Sequence, residues 1–174
     1  LLNFCVVDLS AVYFDIRKDT LYCDAPSSMR RRACRTVMDA VLARLSVWFA
    51  PIMVFTCEEV WEAYSGADVS VHFEQFPETP AGWRDEEVAA RWAKIFEVRR
   101  AVTGKLEVER REKRIGSSLE AGVTVSVASA ELLSAFEGEN AADICITSAA
   151  TLLHDDGADG VVVETFRAPG EKCA

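Results

Sequence analysis

The sequence predicts a mainly α-helical fold, in which a helical bundle is followed by a small α/β subdomain. Three observations support this. Apolar residues recur at helical spacing through most of residues 1–115, Val123–Val127 alternates as a strand does, and glycines and prolines separate the segments. We expect residues 1–115 to form a bundle of about four or five helices, and residues 116–174 to form about three strands and one short helix.

The first helical pattern lies at the N-terminus, where Phe4, Val7 and Ala11 share one helix face. The charged stretch 12–25 that follows has neither a helical nor an alternating period. We therefore expect residues 12–25 to be an interhelical connection, anchored to the core by aromatic residues at both ends.

The second helix has clear start and stop signals. Ser27 or Ser28 can cap its N-terminus, and Pro51 should end it. Residues at helical spacing predict its buried stripe. They are Ala33, Val37, Val41, Leu45 and Trp48.

Residues typical of helix ends predict two further helices. Thr56 and Glu59 fit a capping box, and Gly66 is a plausible stop. The longest helix should begin at Asp85 and run to about Arg114.

After Gly116 the period changes from helical to alternating. Val123–Val127 predicts a half-buried strand, and Ala130–Phe136 predicts a short helix. Asp143–Thr147 and Gly160–Phe166 are two further strand candidates.

The net charge of -9 argues by itself against a nucleic-acid partner, but the positive charge is concentrated in two segments. Residues 1–50 carry seven Lys/Arg against five Asp/Glu, and residues 91–118 carry nine against four. Residues 51–90, in contrast, carry one Lys/Arg against nine Asp/Glu. A local positive field can attract an anion even when the total charge is negative.

The composition also indicates the cellular compartment of the protein. No apolar run approaches the roughly 20 residues of a membrane span, so we expect no membrane partner. Six cysteines without paired spacing predict buried thiols in a reduced cytosol, with no disulfide. No arrangement of nucleophile and base predicts a catalytic site, and we assign no catalytic residue.

The basic residues of the two positive segments are candidates for contact with RNA phosphates. They are Arg30, Arg31, Arg32, Arg35, Arg99, Arg100, Lys105, Arg110, Arg111 and Arg114. A solvated helix face is the competing interpretation. It is stronger for the second segment, because cations are favourable at the C-terminus of a helix.

Several stretches, in order, resemble one protein family. YFDIRKDTLYCD (13–24) is similar to the sequence joining the first two helices of the anticodon-binding domain in isoleucyl-tRNA synthetases. LSVWFAPIMVFTCEEVWE (45–62) resembles a signature of class I synthetases, and GEKCA (170–174) resembles the start of the KCxRCW zinc knuckle of the bacterial isoleucine enzymes. The likeness covers nearly the whole chain.

The resemblance implies a C-terminal fragment of such a ligase, since the ATP-binding HIGH and KMSKS motifs are absent. The parent enzyme would ligate isoleucine to its tRNA in the cytoplasm, and this part would hold the tRNA anticodon stem-loop as a monomer. A non-catalytic acidic helical domain that binds protein is the alternative.

The resemblance also bears on cofactors. ATP, magnesium and zinc are implied for the parent enzyme, and none is expected in this fragment. Cys173 resembles the first ligand of the zinc knuckle, but no second Cys follows at CxxC spacing. Because structural zinc needs four ligands, we expect an incomplete site and a mobile tail.

Overall fold

Helices account for most of the fold in the computed structural model, which describes residues 1–66 and 69–170. The chain divides into two compact units, Leu1–Arg84 and Asp85–Ala174. The expectations about Cys173 and a mobile tail concern residues outside the described part.

The first unit is helical. A π-helix, Phe4–Phe14, continues directly into the first α-helix. The α-helices are α1 (Asp15–Tyr22), α2 (Met29–Phe49) and α3 (Val54–Ser65). Two short 3₁₀ turns, Val71–Phe73 and Ala81–Trp83, follow them.

Local chemistry explains where several of these helices begin and end. The Ser28 hydroxyl accepts a hydrogen bond from the Arg31 N–H at 3.5 Å, which satisfies a donor that the first turn of α2 leaves free. Helix α2 ends just before Pro51, and Gly66 closes α3 in the left-handed conformation at φ 60°. These three signals were predicted from the sequence and are confirmed.

The expected interhelical connection at residues 12–25 is wrong for most of its length, because α1 occupies Asp15–Tyr22. Ile16 and Thr20, four residues apart, are the buried positions of this helix. Tyr22, which we expected to anchor the connection, is 82% exposed. The expected capping box is also wrong: α3 begins at Val54, so Thr56 already lies inside the helix.

A small apolar cluster holds the first unit together. Val47 and Ala50 of α2 pack with Cys57 of α3 and Val71 of the 3₁₀ turn. The Glu58 carboxylate fixes that turn by accepting hydrogen bonds from the Ser70 hydroxyl at 2.9 Å and the Val71 N–H at 3.0 Å. The buried face of α2 differs from the predicted stripe in its first turns, since Cys34 is buried there while Ala33 and Val37 are exposed.

The second unit packs one long helix against a three-stranded sheet. Its helices are α4 (Glu86–Arg111), α5 (Ala130–Ala135) and α6 (Ala141–Cys145). Its strands are β1 (Ala121–Val127), β2 (Ala149–His154) and β3 (Val161–Arg167). The strand order is β2-β1-β3, with β1 parallel to β2 and antiparallel to β3.

Helix α4 and the central strand β1 supply the core of this unit. The fully buried side chains of α4 include Ile95, Val98 and Val102, and those of β1 include Val123 and Val125. Helix α4 packs against β1, β3, α5 and α6. The boundary that we expected near residue 115 therefore differs from the division into compact units, because α4 belongs with the sheet.

The predicted fold class, a helical bundle followed by a small α/β subdomain, is confirmed, but one strand was misplaced. Residues around Asp143 form α6, because the Asn140 side chain caps it by accepting from the Ala142 and Asp143 N–H groups. Ile146, at φ 56°, ends that helix in the left-handed conformation. Ala149–His154, not Asp143–Thr147, pairs with β1.

Candidate nucleic-acid interface

The first group of candidate residues lies on the opening turns of α2, and two of its four arginines are tied to the preceding segment. The Arg31 guanidinium donates a hydrogen bond to the Asp24 carbonyl at 2.8 Å. The Arg30 guanidinium donates to the Thr20 hydroxyl at 3.2 Å. These contacts hold α2 against the end of α1, so both side chains contribute to the packing of the folded chain.

The other two arginines of α2 are open to solvent. Arg32 and Arg35 are exposed, and within residues 1–66 and 69–170 neither guanidinium has a hydrogen-bonding or ion-pairing partner. They lie three residues apart, so they share one helix face. Two unpaired cations on a single face can accept a phosphate without first losing an internal partner.

The second group lies along α4, and most of its charges are already engaged. The Arg99 guanidinium donates to the Ile144 carbonyl at 3.0 Å. The Lys105 ammonium lies 3.6 Å from a Glu109 carboxylate oxygen, and Arg110 lies 3.0 Å from Glu107. Contact with RNA by these three side chains would compete with contacts inside the protein.

Glu109 neutralises much of the positive charge at the end of α4. It is 5% exposed, and Arg114 donates to it at 2.9 Å. The pKa of Glu109 is lowered to about 2, first because of the Arg114 hydrogen bond, and also because of a hydrogen bond from Thr165 and the charge of Lys105. Glu109 therefore stays ionised and ties α4 to β3.

Arg100 and Arg111 are the candidates on α4 whose side chains remain available to a ligand. Both are exposed, and the part of the chain that the structure describes holds no side-chain partner for either. The α2 group and the α4 group belong to different compact units. The sequence alone could not distinguish arginines that contact another group of the protein from arginines that do not. Folding brings the partners Asp24, Ile144 and Glu109 within reach of their arginines.

One side-chain pair was missed by sequence reasoning. The Arg44 guanidinium lies 4.4 Å from the centre of the Trp83 ring, as a cation–π contact. Arg44 lies on α2, 39 positions before Trp83, and no local sequence signal links the two residues.

Within residues 1–66 and 69–170, no three His, Cys, Asp or Glu side chains form a group that could hold a metal ion, so these residues do not fit a zinc site. None of the helices in the same ranges combines the length and apolar character that a bilayer crossing requires.

Comparison with known proteins identifies the family of the chain. The family described as "Anticodon-binding domain of tRNA ligase" matches residues 1–126. Over the whole chain, 54% of aligned residues are identical to isoleucine–tRNA ligase of Agrobacterium fabrum, 50% to that of Brucella abortus and 48% to that of Caulobacter vibrioides. The chain spans 19% of the length of each of these relatives. This chain, a region apart from the catalytic part of such ligases, belongs to the family of tRNA-ligase anticodon-binding domains.

Proposed function

We propose that this chain binds the anticodon stem-loop of isoleucine tRNA, as part of a longer cytoplasmic ligase that joins isoleucine to that tRNA with ATP. The observation that carries the proposal is the family match over residues 1–126, together with isoleucine–tRNA ligases about half identical over the whole chain. In this proposal the chain is monomeric, and ATP, magnesium and zinc act elsewhere in the longer protein.

Exposed arginines would supply the affinity. Arg32 and Arg35 on α2, and Arg100 and Arg111 on α4, have no internal partner to give up within the described residues. Contacts to phosphates position an RNA without reading its sequence. Specificity for one tRNA would come from stacking and hydrogen bonds to unpaired anticodon bases.

The test removes one open arginine at a time. Arg35→Gln should weaken binding of isoleucine tRNA and reduce the log–log salt slope by roughly 0.7 to 0.9, the contribution of one phosphate contact. Arg32→Gln should act in the same way. The measurement is a titration of tRNA at several salt concentrations.

The matched control is Arg167→Gln, which also removes one exposed positive charge but lies at the end of β3, outside both groups. It should leave the slope unchanged. If Arg32→Gln and Arg35→Gln change neither affinity nor slope, these arginines form only a solvated face.

A second candidate function is binding of another protein by an acidic helical domain. It is favoured by the net charge of -9 and by exposed aromatic side chains. Phe55 is 84% exposed, Phe73 85% and Phe76 65%. Failure of the chain to bind tRNA at low salt would favour this candidate.

A further inference from the structure

Trp83 is an exposed aromatic ring held in a fixed position. Trp83 ends the short 3₁₀ turn Ala81–Trp83, and its backbone N–H donates to the Pro80 carbonyl at 3.0 Å. Its side chain is 55% exposed. At the neighbouring Gly82, an added Cβ would meet no atom within 4 Å, so the surroundings of the turn are open.

Arg44 supports this ring from α2. Its guanidinium lies 4.4 Å from the ring centre and donates to the Ala40 carbonyl at 3.1 Å and to the Glu78 carbonyl at 3.2 Å. These hydrogen bonds fix the guanidinium, and the planar guanidinium can cover only one face of the indole. Because Trp83 as a whole is more than half exposed, the ring keeps surface that a ligand can reach.

The other tryptophans are placed differently. Trp48, Trp61 and Trp92 are partly buried, Trp61 packs against the apolar cluster of the first unit, and Trp92 contacts Phe96 at 5.5 Å. Their rings contribute to packing. Trp83 has no aromatic neighbour within the described residues and rests on a cation instead.

We propose that Trp83, positioned by Arg44, is a stacking platform for one unpaired base of a bound RNA loop. The inference rests on the proposed function and adds a base-contacting site to it. Unpaired RNA bases stack on aromatic rings and on arginine planes. In the proposed stack the indole lies between the base on one face and the Arg44 guanidinium on the other.

Stacking of a base on the indole is a contact between uncharged rings and adds no phosphate contact. The one basic residue of 51–90, Arg84, follows Trp83 in the chain, and the Arg44 guanidinium is already held by two carbonyl groups. Loss of the platform should therefore lower affinity without changing the salt dependence.

The first experiment measures binding of two RNA probes: a synthetic hairpin with the anticodon stem-loop sequence of isoleucine tRNA, and a blunt duplex of the same stem. Trp83→Ala should weaken hairpin binding by about five- to 150-fold, the contribution of one base–aromatic stack. It should leave the salt slope and the duplex affinity unchanged. Trp83→Phe, which keeps an aromatic ring, should keep most of the hairpin affinity.

Fluorescence gives a second readout that does not depend on affinity. Stacking of a base on an exposed indole should quench part of the tryptophan emission when the hairpin binds. Trp83→Phe should remove that quenching while the hairpin still binds. This measurement decides the proposal even if Trp83→Ala fails to fold.

Arg44→Lys tests the positioning role. It keeps the positive charge but loses the planar group that lies on the ring. We expect weaker hairpin binding, less quenching and an unchanged salt slope. A simple phosphate contact by residue 44 would instead leave hairpin affinity nearly unchanged, because lysine can replace it as a point charge.

Two results would overturn the inference, and they are distinguishable. If the unmodified chain binds the hairpin and Trp83→Ala binds it equally well with equal quenching, the platform is wrong and the proposed function stands. If the unmodified chain binds neither the hairpin nor isoleucine tRNA, the proposed function and the platform both fail.

Discussion

At the scale of single residues, the most consequential ionisable group is Glu109, a buried carboxylate near the end of α4. Lys105 on the helix and Arg114 just after it both contact this carboxylate, and the Thr165 hydroxyl donates to it from β3. An acid in this position stabilises the unit only while it is ionised. Its charge also explains why the basic end of α4 is less available to RNA than its sequence suggests.

We predict that Glu109→Gln lowers the stability of the chain at pH 7. The folded-state pKa of about 2 lies below the usual value of 4.5. The stabilisation is therefore present above about pH 4.5 and is lost as the pH falls towards 2. The difference between the denaturant midpoints of the two proteins should stay constant from pH 7 to about pH 5 and shrink as the pH falls further.

The matched control is Glu107→Gln, on the same helix and paired with Arg110 but 59% exposed in its side chain. Exposed ion pairs contribute little, so its midpoint should stay close to that of the unmodified chain at every pH. A Glu109→Gln midpoint equal to the unmodified one at pH 7 would show that the Glu109 contacts do not stabilise the fold.

Cysteine reactivity is a second prediction at this scale. Cys34, Cys57 and Cys145 are buried, whereas Cys23 is exposed. Burial raises the pKa of Cys145 to about 11, which keeps its thiol protonated and unreactive near pH 7. In the native protein a thiol reagent should modify Cys23 much faster than the three buried groups.

The same reagent under denaturing, non-reducing conditions should find all six thiols. A total lower by two would reveal a disulfide and contradict the prediction. Rapid labelling of Cys145 in the folded chain would contradict its burial.

At the scale of elements, α4 organises the second unit. Its N-terminus is capped by the Asp85 carboxylate, which accepts from the Glu87 N–H at 3.0 Å and the Val88 N–H at 2.9 Å. Its apolar stripe then faces the sheet, with Ile95 at 0% and Leu106 at 2% exposure. Burial of this stripe makes α4 a part of the α/β unit.

Ile95→Ala should destabilise the protein by about 2 to 5 kcal/mol, because it removes buried methyl groups and leaves a cavity. Val88→Ala, on the same helix but with its side chain 48% exposed, should change stability by less than about 0.5 kcal/mol. Chemical denaturation measures both. Equal effects of the two substitutions would contradict the assignment of the buried face.

The elements show what the sequence could and could not predict. The starts at Ser28 and Asp85 and the stop at Gly66 were predictable, because a cap depends on the residue itself and its next few neighbours. Helix α1 was missed because Ile16 and Thr20 are its buried positions, and the charged residues between them hide the period.

Strand β2 was missed for a different reason. Its residues, AATLLH (149–154), lack a run of β-branched side chains, and pairing with β1 determines the strand. The more strand-like Asp143–Thr147 segment contains most of helix α6 because Asn140 caps that helix. Long-range pairing and a local cap overrode intrinsic propensity in these two neighbouring segments.

At the scale of the whole molecule, the sequence predicted the family better than the site. Ordered motifs along the chain indicated the anticodon-binding family, and the match over residues 1–126 confirmed it. The sequence distinguished the two groups of basic candidates only by their position relative to the helix ends, and it did not distinguish the members within a group. Folding leaves Arg32, Arg35, Arg100 and Arg111 without a partner among the described residues, and ties Arg31, Lys105, Arg110 and Arg114 to other groups.

The central claim is that this acidic chain recognises isoleucine tRNA, and one comparison tests it most directly. Binding of isoleucine tRNA and of a second tRNA should be measured at two salt concentrations, about 50 and 200 mM. We predict tighter binding of isoleucine tRNA at both, with affinity for both tRNAs falling in parallel as salt rises, because phosphate contacts are shared and base contacts are not. Equal affinity for the two tRNAs, or binding that does not respond to salt, would contradict the account.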